Sequence, residues 1–453
     1  MDMKPISRII LQAADGSVYY SIPWDATTAL TVAAGSGTAA VTHAGTSYAF
    51  AASDPAATVK PTTPATPIPS GPLEPMTITV GPHQQYPYLT FAMGPVNDAL
   101  YKGRRLALDI QVEPVDDSYY LDSFSSHVGS KGGVWPPFDE VFGDWNKPNT
   151  LAVVLRRVPG SYGLVVFPVT SGYGHLYYGK GILIATQNDF SCDGFHFRGA
   201  KRGDSDGNLS GLRLDANPSA TTPGYGKHRI LNCIFEDCDD GILGGSSGQT
   251  LELENVQLLN CGSGSGFTHN AYLNHYDVVT ATNVLSTGAK VGHLFKCRAS
   301  QTILRNVRLF DGPDGSASYA LDVPNGGILD IDGLTIHKGV HASNAPLIAF
   351  AEEGDIGGGR NAPDGIKIRR LTLLSERPVA TLGTPAATGL WNASGSVPDI
   401  QGTSIFGVSP DALYSLGPYG SASYQPLPDS AVTTLTAMPT LDMTSPVNPS
   451  LPA

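Results

Sequence analysis

Charge is scarce in this chain. Asp, Glu, Lys and Arg make up 15% of its 453 residues, too few for coiled coils or exposed helical bundles, whose surfaces depend on Glu and Lys. Basic residues are scarcer still. The 28 Lys and Arg against 40 Asp and Glu leave a net charge of -12, so no nucleic acid and no anionic membrane surface is expected as a partner. An acidic glycan is not excluded, because a local basic strip can exist on an acidic protein. No apolar run reaches the length of a transmembrane span, and residues 1–20 hold no apolar run behind a basic start. The expectation is a chain without a secretory signal that is cytosolic or leaves the cell by lysis or another route. Cysteine is limited to Cys192, Cys233, Cys238, Cys261 and Cys297, an odd number without metal-ligand pairs.

What is abundant is Gly (52) and Pro (35), the punctuation of a turn-rich all-β protein. One phrase recurs between Lys227 and Leu374: an apolar residue, a spacer, Asn, then alternating apolar residues. It reads Ile230-Leu231-Asn232-Cys233-Ile234-Phe235, Leu253-Glu254-Asn255-Val256-Gln257-Leu258, Ala281-Thr282-Asn283-Val284 and Leu304-Arg305-Asn306-Val307-Arg308-Leu309, with degenerate copies around Asp332 and Arg370. The markers are 23, 28, 23, 26 and 38 residues apart. A repeat of that size fits a leucine-rich or helical solenoid as well, so the local period arbitrates. It is near 2, with β-branched and aromatic residues between Gly, Asn and Asp, which is strand chemistry. Short strands repeating in this way wind into a right-handed parallel β-helix, with Asn stacked into a ladder at one corner. Cys238 and Cys261 each fall six residues after an Asn marker and should stack in adjacent coils as buried thiols, a disulfide remaining geometrically open.

The chain divides into four stretches. Residues 1–52 read as a small N-terminal β module, and 53–75 as a stiff Pro/Thr/Ala linker. Residues 76–375 hold the β-helix, opened by a strand and a capping helix over Leu89 to Leu100 that covers the end of the coil stack. Residues 376–453 form a Gly/Ser/Pro-rich tail with a few strands.

Unusual residues collect in the second strand after each marker. His269, Asn270, Tyr272, His293, Lys296, Arg298, Tyr319, Asp322, Asn325 and Glu352 then crowd one side of about four coils. Cations, amides, carboxylates and aromatic rings in one strip are what a sugar chain lying along a solenoid needs. No cofactor is expected; Glu352 and Glu353 beside Gly354 leave calcium open, although no regular calcium-loop spacing is present.

The succession Gly211-Leu212-Arg213, Gly241-Ile242-Leu243, His269-Asn270-Ala271-Tyr272, Gly292 to Ala299 and Ser318-Tyr319 through Pro324-Asn325-Gly326-Gly327 resembles bacterial parallel β-helix proteins of the pectin-lyase-like superfamily, over residues 77–355. An appended N-terminal module resembles the layout of phage tailspikes and virion-attached spikes. The resemblance implies a surface or extracellular bacterial polysaccharide as partner, a larger particle held through residues 1–52, a virion or extracellular setting and a homotrimer. For reaction it implies two alternatives. Lys296 followed by Arg298 resembles the base-bearing strand of alginate-lyase-like β-helices, with His269 and His293 beside it, but Leu321-Asp322-Val323 stands where those enzymes carry Arg-His-Gly. Asp239-Asp240, Gly292-His293 and Ile366-Lys367-Ile368-Arg369 resemble polygalacturonase motifs in altered form. Non-catalytic binding and depolymerisation both follow from the strip.

Overall fold

The computed structural model describes strand backbone within residues 8–51. With side chains it describes, apart from short gaps, residues 72–120, 151–169, 180–202, 207–215, 226–377, 387–417 and 423–443. The Pro/Thr/Ala stretch 53–71 and the end of the tail from 444 lie outside the described residues. The chain separates into two units, Met1–Ser70 and Gly71–Ala453. In the first, Arg8–Gln12 pairs antiparallel with Val18–Pro23, and Ala29–Ala33, Thr38–His43 and Thr46–Ala51 form an antiparallel meander.

The second unit is an all-β parallel β-helix. Strands of successive coils pair in parallel and in register, giving three faces. Face 1 runs through Glu74–Val80, Leu106–Val112, Leu151–Arg157, Asp189–Asp193, Gly226–Leu231, Gln249–Glu254 and Val278–Thr282. Face 2 runs through Val165–Pro168, Phe195–Arg198, Ile234–Glu236, Gln257–Leu259 and Leu285–Thr287. From the next coil on, one long strand covers both faces: Gln301–Phe310, Ile328–Lys338, Gly365–Ser375 and Asp399–Phe406. Face 3 stacks Gly181–Ala185, Ser210–Leu214, Asp240–Gly244, Ala271–Leu273, Phe295–Cys297, Leu321–Val323, Pro346–Phe350, Thr388–Asn392 and Tyr414–Leu416.

Alternation decides which side chains fill the interior. In Gln249–Glu254 every second residue is buried, and Leu251 and Leu253 meet Ile230, Val279 and Ala281 of adjacent coils in one continuous core. Phe167, Phe195, Phe197 and Phe235 stack along that core with centroids 5.3–5.9 Å apart. Fully burying each such side chain contributes about 1.5–3 kcal/mol. At the N-terminal end Leu89, Ala92, Val96 and Ala99 are helical, buried at helical spacing and part of the same core, which is the covering an open coil end requires.

The corner between faces 1 and 2 needs a left-handed residue in every coil. Asn232, Asn255, Asn283 and Asn306 supply it with φ of 50° to 58°. Their amides form a ladder: Asn232 Nδ2 donates to Asp193 Oδ1 (2.8 Å), Asn255 to Asn232 (3.1 Å), Asn283 to Asn255 (3.2 Å) and Asn306 to Asn283 (3.2 Å). All donors point toward the Asp193 carboxylate, so the aligned amide dipoles end on a charge of the right sign. In the next coil the corner residue is Gly333, φ 83°, one position beyond the expected Asp332, which stays in the strand opposite Arg305 and Arg369. Arg370 follows at φ 53°. Cys238 and Cys261 sit one coil apart, Gly262 N bonding Cys238 O at 2.9 Å, and all five cysteines are free and buried.

Past Leu374, where the sequence pattern fades, coil register continues through Asp399–Phe406 and Tyr414–Leu416 to Val432–Thr434. Ser423–Gln425 closes the end of face 3 by pairing antiparallel with Tyr414–Leu416.

Candidate functional site

The short strands of face 3 put chemistry from distant stretches at one phase. Tyr272 pairs with Lys296, Lys296 with Asp322, Asp322 with Ala349 and Ala349 with Trp391, each about 4.8 Å above the last. Three residues earlier in each coil stand His269, His293 and Tyr319, so that His-x-x-Tyr, His-x-x-Lys and Tyr-x-x-Asp lie in three successive coils. The rings stack: His269 on His293 at 4.6 Å, His293 on Tyr319 at 5.4 Å, with Trp391 6.3 Å beyond.

Backbone geometry sets the state of both imidazoles. His293 N–H donates to His269 Nδ1 (2.9 Å) and Tyr319 N–H donates to His293 Nδ1 (3.1 Å). Each Nδ1 lone pair is therefore occupied, and the ring proton of His293 sits on Nε2, 3.2 Å from Asp322 Oδ2. Burial lowers the pKa of His269 well below its usual value, and that of His293 to about 4 despite the nearby Asp322 carboxylate. Both are neutral at pH 7, and His293 is a hydrogen-bond donor rather than a base.

The charged centre lies beside them. Asp322 is 1% exposed and its Oδ2 is 2.9 Å from Lys296 Nζ. Glu353 grips two cations, Lys296 Nζ at 2.7 Å and Arg298 Nη2 at 2.6 Å. Arg298 Nε donates to Tyr272 Oη (3.1 Å) and Nη1 to Asn325 Oδ1 (2.6 Å), and both cations lie over the Tyr272 ring. Asn325 Nδ2 in turn donates to Gly359 O (2.9 Å) and Gly354 O (3.3 Å). Burial acts against the Lys296 charge, but Asp322 and Glu353 outweigh it and raise its pKa. Lys296 is a held cation at neutral pH rather than a free amine.

Glu352 is the acid of the cluster. One oxygen each of Asp322, Glu352 and Glu353 lies within 4.8 Å of the other two. Burial pushes the Glu352 carboxyl well above the carboxylate range, and the neighbouring Asp322 charge adds to it. Burial also resists ionisation of Asp322, but His293 and Lys296 facing it pull its pKa below the usual value. Glu352 Oε2 and Asp322 Oδ1 are buried and meet no other hydrogen-bond donor. A proton on Glu352 directed at Asp322 satisfies both. Three carboxylates in one place invite a divalent ion, but Lys296 already occupies the facing oxygens of Asp322 and Glu353. The donor set does not fit calcium without displacing that cation.

The expected strip is thus brought together for His269, Tyr272, His293, Lys296, Arg298, Tyr319, Asp322, Asn325 and Glu352. Asn270 is not among them. Its side chain turns inward, fully buried, accepting from Cys261 N–H (2.9 Å) and donating to Ser286 Oγ (2.8 Å) and Thr287 O (2.8 Å), which closes the corner before face 3. Asp239 likewise holds the backbone of Arg202 and Leu209. Two participants were not singled out in the strip: Glu353, which organises both cations, and Trp391, whose register only the stack reveals. The three-residue spacing of His269/Tyr272, His293/Lys296 and Tyr319/Asp322 was the sequence signal for one shared phase. No family model matches the chain, and neither a curated protein nor a solved structure does.

Proposed function

We propose that this protein is a polysaccharide-binding spike that engages a bacterial surface or extracellular glycan along face 3 and is held to a larger particle through residues 1–52. The reading is carried by the register of face 3, in which aromatic rings, two cations and three carboxyl groups from five coils share one strip. Half-buried Tyr272 and Tyr319 offer ring faces, and Glu353, with a side chain 25% exposed, offers acceptors whose direction Lys296 and Arg298 hold. The resemblance to pectin-lyase-like β-helices and to virion spikes supports the same reading, as do the homotrimer and the virion or extracellular setting that go with it.

A second reading, cleavage of the bound glycan, is favoured by one arrangement: Glu352 and Asp322 have oxygens within 4.8 Å of each other, with burial biasing Glu352 toward its protonated form and the facing His293 and Lys296 biasing Asp322 toward its ionised one. Hydrolysis of a glycosidic bond needs one carboxylic acid and one carboxylate, whereas elimination needs a base. Lys296 as a held cation and His293 as a donor do not supply that base, which favours hydrolysis over the lyase chemistry expected from the Lys296 resemblance.

Incubation of the purified protein with capsular and exopolysaccharides, following retention and chain length together, separates the readings. Retention that Tyr272→Ala and Arg298→Gln abolish supports the spike. Shortening that Glu352→Gln abolishes while retention persists supports hydrolysis. Absence of retention for every polymer tested overturns both.

A further inference from the structure

A second polar recess lies away from face 3, at the corner of the Asn ladder. It has a volume of about 480 Å³ and is lined by Asn255, Asn283, Asn306, Arg308, Arg370 and Asp442. That is room for one or two sugar rings, within the ordinary range for small-ligand sites. It exists because the ladder stops. The residue at the corner phase above Asn306 is Gly333, which has no side chain, so Asn306 Oδ1 meets no amide above it. A Cβ on Gly333 would stand 3.3 Å from Asn306 Oδ1 and 3.4 Å from Arg370 Nη2, so both groups border the missing rung.

The recess presents donors and acceptors in a pattern suited to hydroxyl groups. Each ladder amide spends one N–H on its neighbour, leaving a second N–H uncommitted to the ladder, and Asn306, the last rung, leaves its oxygen uncommitted as well. Thr335 adds a hydroxyl to the lining. The C-terminal segment crosses here, and Asp442 offers Arg308 a carboxylate at 2.8 Å and its carbonyl at 3.1 Å. The Asp442 side chain is 64% exposed, so this ion pair is of the kind that contributes little to stability and exchanges readily.

We propose that this recess binds a carboxylated sugar residue, whose carboxylate takes Arg308 in exchange for Asp442 while its ring hydroxyls meet the amides of Asn255, Asn283 and Asn306. Arg370, with its Nε bonded to Asp332 at 2.6 Å, closes the far side. Asp442 is then a resident stand-in for the ligand carboxylate, and the segment carrying it a strap that the ligand displaces. The site does not depend on the reading of face 3.

The test is an NMR titration of the full chain with glucuronate, glucose and acetate, repeated on Asp442→Asn and Arg308→Gln. Glucuronate should bind, with glucose and acetate each weaker by about tenfold or more. Asp442→Asn should tighten glucuronate binding, because the competing carboxylate is gone, and Arg308→Gln should weaken it by about tenfold or more, the loss of a charge-assisted pair. Acetate binding as well as glucuronate would make this a bare anion site and overturn the sugar assignment. Unchanged binding in Arg308→Gln would place the ligand elsewhere and overturn the site. No binding even to Asp442→Asn overturns the proposal altogether.

Discussion

At the scale of single residues, the protein keeps ionisable groups where water is nearly absent and compensates each by a named neighbour. Lys296 is the clearest case, since Asp322 and Glu353 both rely on it. Lys296→Met should cost about 3–5 kcal/mol, read as a lowered urea midpoint, because the buried Asp322 carboxylate loses its cation while the partly buried Glu353 keeps only Arg298. Adding Asp322→Leu should restore part of that loss; no recovery would mean that the pair is not what Lys296 stabilises. Asp240 makes a pH prediction. It is buried, accepts the His269 N–H at 2.8 Å, and burial raises its pKa to about 8. A carboxyl with a raised folded-state pKa binds its proton more tightly in the folded chain. Its stabilising contribution is complete below the unfolded value of about 4 and is lost as pH rises toward 8. The melting temperature should fall across that window, and Asp240→Asn, which keeps the acceptor and carries no charge, should flatten the fall. Unchanged slopes in the variant would show that Asp240 does not titrate there.

At the scale of elements, the Asn corner and the short strands of face 3 serve different ends. The corner is a repeated solution to one backbone problem, a left-handed residue whose side chain also bonds its neighbours. Asn283→Ala in mid-ladder removes two amide bonds and puts a Cβ-bearing residue at φ 53° without local hydrogen bonding, for a cost of about 2–3 kcal/mol. Asn283→Gly keeps the backbone free and should lose less in a denaturant melt; equal losses would mean that the amides, not the conformation, carry the effect. Gly333→Asn fills the missing rung. Its amide can donate to Asn306 Oδ1, worth about 0.5–1 kcal/mol, but φ of 83° and a Cβ 3.3 Å from that oxygen oppose the gain, so a denaturant melt should move by less than about 1 kcal/mol. The same substitution fills the recess beside Arg308 and should abolish glucuronate binding there.

At the scale of the whole molecule, coils stacked in register make one long core, and stability is shared between neighbours rather than held by one central cluster. The first unit, Met1–Ser70, forms its own sheets. A chain beginning at Gly71 should fold with its melting temperature unchanged and retain any polysaccharide that the full chain retains. Loss of cooperative melting on removal of residues 1–70 would contradict that division.

Much of this was legible in the amino-acid order, and the reason is periodicity. An Asn every 23 to 28 residues, with apolar residues alternating around it, admits few structures besides a strand solenoid, and from the solenoid follow the ladder, the stacked Cys238 and Cys261, and a common side for His269, Lys296 and Asp322. The coils after Leu374 escaped because Gly402 replaces Asn at the corner and the apolar alternation thins. What only the tertiary structure decided is the state of each group. That Asn270 turns inward, that Lys296 is held as a cation, that Glu353 joins two cations and that burial with Asp322 biases Glu352 toward its protonated form all depend on which neighbours lie within about 5 Å. Those neighbours stand from 9 to 57 residues away along the chain, and charge and protonation are set by distance in space, which a repeat fixes for the backbone but not for the side chains it carries.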